Sequence, residues 1–360
     1  MAGSTGRVQA TVGDQAALVA PREHPYACVI EPPRTIAITG ATGFVGRHVV
    51  ERLLAEPDLR LRCLVRETSD VSHLRGHAGR IELAGGDVVR GEGLREWAEG
   101  AWGAVNLAGY RDFWSKKRSL YYDLNYTGAE HVFRAALAAD VKKVVQVSTP
   151  LAYGMPNELP FNEDTPPGPH PSDYARSKYL ADELAWKLHR EEGLPLTAVH
   201  LAAVIGAGDP CPTMEVERAL NKRLPALVGA DTTYTYLHVR DAAEAIVRAL
   251  LAPQSLGRRY LIGTERATTR EYFTIISEIA NVPVPRINLP EAPLIPIARA
   301  LERLSALTGK RAALPVDILK TTAAGSLLFD GSRAKAELDM EYTPLRQALQ
   351  EAVDEIRHRP

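Results

Sequence analysis

Cysteine is scarce in this 360-residue chain: Cys28, Cys63 and Cys211 stand far apart, with no C-x-x-C pair among them. That excludes a disulfide framework and fits a reducing, cytoplasmic compartment with buried or incidental thiols. Long apolar runs are missing too, since no stretch of about 18 apolar residues occurs and nothing reads as a membrane span. Charge of one sign is equally lacking. A net charge of −1 gives no basic surface for nucleic acid. There is no internal repeat and no low-complexity tract. Residues 1–33 carry no basic-then-apolar leader, because Asp14 and Gln15 interrupt their single candidate run, and they read as an extension.

What is present is alternation. Strand-like runs occur at 35–40, 59–66, 80–86, 103–109, 142–149, 196–202 and 233–239, mostly short and rich in Val, Ile and Leu. Such runs suit strands buried on both faces of a parallel sheet. Helical stretches lie between them, at 44–56, 125–140 and 173–193. The expected fold is therefore α/β: a Rossmann-type doubly wound parallel sheet at about 34–195, with a smaller C-terminal substrate-binding region, 196–360, interleaved with it. In that second part, 270–282 predicts an amphipathic helix and 289–309 a proline-led one. The latter either buries its apolar face against the sheet or forms a flap that touches a membrane.

Gly40, Gly43 and Gly46 form G-x-x-G-x-x-G directly after a strand and before a helix. Gly40 takes the tight turn, Gly43 admits a pyrophosphate close to the backbone and Gly46 lets helix and strand pack, while the helix N-terminus offers unpaired N–H groups. Thr42, Phe44 and Val45 fill the same turn. The second strand ends in "LVRETSD", where an acid would hold a ribose 2′-hydroxyl and an arginine a 2′-phosphate. Arg66 at the tip points to NADP, with NAD as the second choice. Tyr174 and Lys178, in "YARSK", share one helix face. An ammonium near a phenol stabilises phenolate, which makes Tyr174 a general acid/base. Ser148 and Thr149 offer hydroxyls where a strand ends at the carboxyl edge of the sheet.

With these pieces in order the chain resembles an extended short-chain dehydrogenase/reductase of the epimerase/dehydratase superfamily. Within it the chain is similar to the branch of dihydroflavonol 4-reductases, 3β-hydroxysteroid and sterol-4-carboxylate dehydrogenases and hopanoid-associated epimerase-like proteins. The likeness runs over about 34–355, through "TGATGFVG", "NLAG", "VVQVSTPLAYG", "YARSKYLAD" and "YLHVRDAAEAI". It implies that Tyr174 moves the proton, Lys178 binds the nicotinamide ribose, and Thr149, with Ser148 as rival, bonds the substrate oxygen. It implies further that Asp87 and Val88 meet the adenine, and that Leu107, Ala108, Gly109, Leu201 and Ala203 line the cofactor. Asn125 is implied as a structural or water-holding group. A homodimer is compatible with this resemblance, and no metal is called for.

The departures concern substrate. Pro150 and Leu151 stand where dehydratases carry an Asp-Glu pair. His200, Ala203 and Tyr234 replace the arginine, asparagine and second arginine of sugar-nucleotide epimerases. A pyrophosphate needs cationic donors, so weight moves to an apolar, polycyclic alcohol or ketone, of sterol or triterpenoid type or a 4-carboxysterol. The aromatic-rich loop 110–122, with Trp114 beside Arg111 and Lys116, reads either as a wall for such a ring system or as an ordinary capping loop. The alternatives are a sugar-directed epimerase or reductase and a non-catalytic dinucleotide sensor.

Overall fold

The computed structural model describes residues 33–358 apart from 78, 209–216, 218–220, 222–225, 309–311 and 313. The expected extension, 1–33, lies outside this range except for its last residue, as do Cys28 and Cys211. Cys63 is buried, and burial pushes its thiol up to about 12.

Seven parallel strands make the central sheet: β1 (Arg34–Thr39), β2 (Leu59–Val65), β3 (Ile81–Gly85), β4 (Gly103–Asn106), β5 (Lys143–Ser148), β6 (Leu196–Leu201) and, later in the chain, Arg259–Ile262. With the short strands β7 (Ala203–Ile205), β8 (Ala226–Val228) and β9 (Thr233–His238) between, that last one is β10. The order is β10-β6-β5-β4-β1-β2-β3, so strand order reverses between β1 and β4. Beyond the carboxyl ends of those two strands lies the crevice where doubly wound folds take ligands.

Helices cover both faces, which is why the strands read as continuous apolar runs. On one face α1 (Phe44–Leu54) packs with the helix Val239–Leu251, whose buried alanines allow close approach. On the other, Gly128–Ala138 and Asp173–Glu192 pack around Trp97, Phe133 and Trp186. Counting the short helices Ser72–Arg75, Leu94–Ala98 and Ser119–Tyr122 as α2, α3 and α4, these larger ones are α5 (128–138), α6 (173–192) and α7 (239–251).

Two sequence expectations change. The run 233–239 does not join the parallel sheet: β9 sits in a separate three-stranded sheet between β7 and the antiparallel β11 (Glu265–Thr268). The seventh main-sheet position goes to β10 instead. Second, after α8 (Thr269–Ala280) and β12 (Ile287–Leu289), helix α9 (Leu294–Thr308) does not pack on the sheet. Its Ala298 packs with Val316 and Leu319 of α10 (Val316–Ala323). The chain ends in α11 (Ser332–Leu338) and α12 (Leu345–Arg357).

Candidate active site

The glycine turn is built as its spacing predicts. Gly40 has φ +71°, and a Cβ there would lie 2.7 Å from the Leu107 backbone. A Cβ on Gly46 would stand 2.1 Å from the Gly40 carbonyl oxygen, so both positions exclude any side chain. Gly43 caps α1 with extended backbone and no side-chain cap, and no acid occupies the first turn. The N-terminal N–H groups of α1 are thus left without a protein acceptor from a cap, which fits an anionic pyrophosphate.

A buried polar ladder runs across the strand ends beside this turn. The Thr39 hydroxyl donates to Asn106 Oδ1 (2.6 Å) and accepts from the Ala108 N–H (3.2 Å), and Asn106 Nδ2 donates to Gln146 Oε1 (2.8 Å). All three side chains are buried at neighbouring registers of β1, β4 and β5. The ladder holds the Leu107–Gly109 backbone against the glycine turn. It ends at Val147, whose carbonyl accepts from Lys178 Nζ (2.8 Å). A Cβ added at Gly109 would lie 4.0 Å from that ammonium.

Tyr174 opens α6, which Ser172 caps by accepting from the Ala175 N–H (3.2 Å). Its side chain is half-buried and edge-on to the Phe113 ring, with centroids 5.6 Å apart. Burial pushes the phenol above its ordinary value, while the Arg111 guanidinium and the Thr149 hydroxyl pull the other way. The Lys178 ammonium donates to the Val147 carbonyl; burial holds it below the ordinary lysine value and Asp182 raises it. Tyr174 keeps its proton at neutral pH and is fit to donate it to a carbonyl oxygen.

Residues 36–263 match the sequence model of the NAD dependent epimerase/dehydratase family. The chain belongs to that family. It is 28% identical over 335 residues to sterol demethylase protein B of Methylococcus capsulatus, covering 90% of this chain and 99% of the relative. It is 24% identical over 358 residues to 3β-hydroxysteroid-dehydrogenase/decarboxylase isoform 1 of Arabidopsis thaliana, covering 92% and 81%. The crystal structure of UDP-glucuronic acid 4-epimerase from Bacillus cereus, in complex with UDP-glucuronic acid and NAD, superposes with a TM-score of 0.71 at 19% identity over 90% and 99% of the chains. The chain is thus an NAD(P)-dependent enzyme of the extended short-chain dehydrogenase/reductase type.

The remaining candidates in this epimerase/dehydratase family member separate clearly. Ser148 is buried and its hydroxyl donates to Asp182 Oδ2 (2.8 Å), so of the two hydroxyls only Thr149 meets Tyr174. The same carboxylate oxygen pairs with His200 Nε2 (2.8 Å), and His200 is 1% exposed. Asn125, in a π-helical turn, receives the Tyr110 N–H (2.6 Å) and donates to Ser177 Oγ (2.9 Å), tying the aromatic loop to α6. Arg111 lies over the Phe44 ring at 5.6 Å and bridges loop 110–122 to the glycine turn. Trp114 is half-buried, its carbonyl accepting from the Tyr110 hydroxyl (2.7 Å). Tyr234 donates to Thr322 Oγ1 (2.9 Å) on α10. Arg66 is exposed at the end of β2, near a loop whose Asp70 meets Arg47 of α1 at 3.8 Å. Asp87 caps its own turn by accepting from the Val89 N–H (2.7 Å), and Val88 is buried. Leu201 is buried and Ala203 exposed. His170 bonds the Ala152 carbonyl (3.0 Å), and its ring lies tilted 4.3 Å from that of Tyr179. Among the described residues no group of three or more His, Cys, Asp or Glu is placed to hold a metal.

Proposed function

We propose that this protein interconverts a secondary alcohol and a ketone on an apolar, polycyclic substrate of sterol or triterpenoid type, with NADP(H) preferred over NAD(H). One observation carries the reading: Thr149, at the carboxyl edge of the sheet, stands close enough to Tyr174 for its hydroxyl to pull the phenol's pKa down, with the Phe113 ring edge-on to Tyr174. A substrate oxygen placed between those two hydroxyls receives two hydrogen bonds, and Tyr174 gives it a proton or takes one as the carbon changes oxidation state. The bound nicotinamide supplies or accepts the hydride. Thr149 orients the oxygen, Lys178 engages the cofactor ribose and sets the charge behind Tyr174, and the glycine turn holds the pyrophosphate.

The substrate class is supported by what the cleft withholds. His200, standing where an epimerase arginine would, is enclosed with Asp182, Tyr234 is bonded to Thr322, and Ala203 is a methyl. None of the three presents a cation to a diphosphate. The names of the sterol demethylase and hydroxysteroid-dehydrogenase/decarboxylase relatives agree with this. For a 4-carboxysterol, oxidation at C3 would leave a β-keto acid that loses CO2. Arg66, exposed at the end of β2, supports 2′-phosphate recognition. We place the reaction in the cytoplasm.

The test is a turnover panel. Purified protein is offered 3-keto sterols and triterpenoids with NADPH and NADH, and the 3-hydroxy compounds and UDP- and dTDP-sugars with NADP+ and NAD+, and products are read by mass spectrometry. Turnover of the polycyclic ketones with NADPH is expected. Turnover of the nucleotide sugars alone would move the assignment to a sugar epimerase or reductase.

A further inference from the structure

Five of the eight exposed large hydrophobic residues among the described residues fall within twenty-one positions: Ile287, Leu289, Ile297, Leu304 and Leu307. Helix α9 explains why. Its inner stripe, Leu294, Ala298, Leu301 and Ser305, faces α10 and is buried or half-buried. A second apolar stripe, Ile297, Ala300, Leu304 and Leu307, repeats at three- and four-residue spacing on the outer side. There Ile297 is 54%, Leu304 55% and Leu307 85% exposed. A helix with two apolar faces, one packed and one bare, is not what a water-facing surface requires.

Charge identifies what covers the outer stripe. Arg299 and Arg303 stand one turn apart beside it, both exposed, and neither enters an ion pair among the described residues. Exposed Arg286 adjoins Ile287. The single acid of α9, Glu302, turns inward and accepts from the Val316 N–H (2.9 Å). The outer surface of α9 is therefore apolar and cationic with no acid, and the sequence continues into Lys310 and Arg311, outside the described residues. A second copy docked on the same stripe would crowd like charges, whereas an anionic lipid surface takes both the apolar side chains and the arginines.

We infer that α9 is a membrane-docking helix that seats the protein on an anionic lipid surface. Its position gives the docking a purpose, which rests on the apolar-substrate reading. Next to Val316, Asp317 of α10 accepts from the Asp173 N–H (3.1 Å), immediately before Tyr174. The docked helix is thus two steps of packing from the catalytic tyrosine, where an apolar substrate leaving the bilayer would arrive.

The experiment is vesicle flotation of the full chain with phosphatidylcholine vesicles and with vesicles containing phosphatidylglycerol, at low and high salt. Wild type is expected to float with the anionic vesicles and to lose most binding at high salt. Leu304→Glu with Leu307→Glu should lower the partition coefficient at least tenfold, and each of Arg299→Ala and Arg303→Ala about fivefold, the weight of about one basic residue near the surface. These side chains are exposed, so an unchanged unfolding midpoint is expected and checks the fold. Tyr174→Phe should float like wild type, which separates this inference from the catalytic one. Absence of flotation, or flotation untouched by the leucine substitutions, overturns it. A dimer seen by sedimentation velocity that Leu304→Glu dissolves, without vesicle binding, assigns the stripe to a second copy and also overturns it.

Discussion

Asp182→Asn isolates the charge behind Lys178. In the fold Lys178 is buried beside Val147, and burial already holds its ammonium below the ordinary value. Asp182, one turn along the same face of α6, raises it again. Across a separation of roughly 6 Å, typical of i,i+4 neighbours, an effective dielectric of about 20 makes that charge worth about 2.8 kcal/mol. The amide keeps the shape and removes the charge. The sign follows: without Asp182 the folded pKa of Lys178 falls further, the ammonium is lost at lower pH, and the alkaline limb of kcat/KM moves downward. Ser148 and His200 both bond Oδ2, so the one amide oxygen can keep both partners; each bond is weakened by the loss of the charge, and stability falls by about 1–2 kcal/mol. The assay is kcat/KM against pH for reduction of a keto substrate by NADPH, beside denaturant unfolding. Ser148→Ala, which keeps the carboxylate, should destabilise by about 1 kcal/mol and leave the limb in place. A variant that loses stability while its alkaline limb stays put would refute the electrostatic role and leave Asp182 as a packing residue.

Three further outcomes are expected. Gly46→Ala meets only backbone, at 2.1 Å from the Gly40 oxygen, so the turn must open; NADPH binding by fluorescence titration should weaken more than tenfold and stability drop by about 1–3 kcal/mol. Thr149→Val removes the hydroxyl that pulls the Tyr174 phenol down, so kcat should fall about ten- to hundredfold, and any phenolate-dependent step should need higher pH, read from a pH profile in the oxidative direction. Arg66→Ala should weaken NADPH binding about tenfold with NADH unchanged, the loss of one charge-assisted contact; an unaltered preference would remove Arg66 from the 2′-phosphate site.

The doubly wound sheet was legible because the strand runs are apolar throughout and the helices between them periodic. The glycine turn was legible because it depends on spacing within one segment, and the same holds for the placing of Tyr174 and Lys178 on one helix. What depends on register between distant segments was not. Thr39, Asn106 and Gln146 are ordinary polar residues in three separate strands, and only parallel pairing makes them one ladder. Asp182 carried a signal that could have been used: a carboxylate at i+4 from Lys178, on the face lined by Ala181 and Ala185, sits on the buried stripe of an otherwise polar helix. The inward turn of His200 follows from that partner. For β9 the alternation Tyr234, Tyr236, His238 marked a strand, but period-2 patterning does not name the sheet it joins. For α9 the sequence left a buried helix and a membrane-touching flap both open, because two apolar faces on one helix do not show which of them is packed.

The central claim is that Tyr174 transfers the proton while a nicotinamide hydride reaches an apolar carbonyl. Its most direct test is the nicotinamide absorbance change with NADPH and a 3-keto sterol, for wild type and Tyr174→Phe at equal cofactor occupancy. The account predicts steady oxidation of NADPH by wild type and a rate about 10²–10⁴-fold lower in the variant, with NADPH still bound. Equal rates in the two proteins would contradict it.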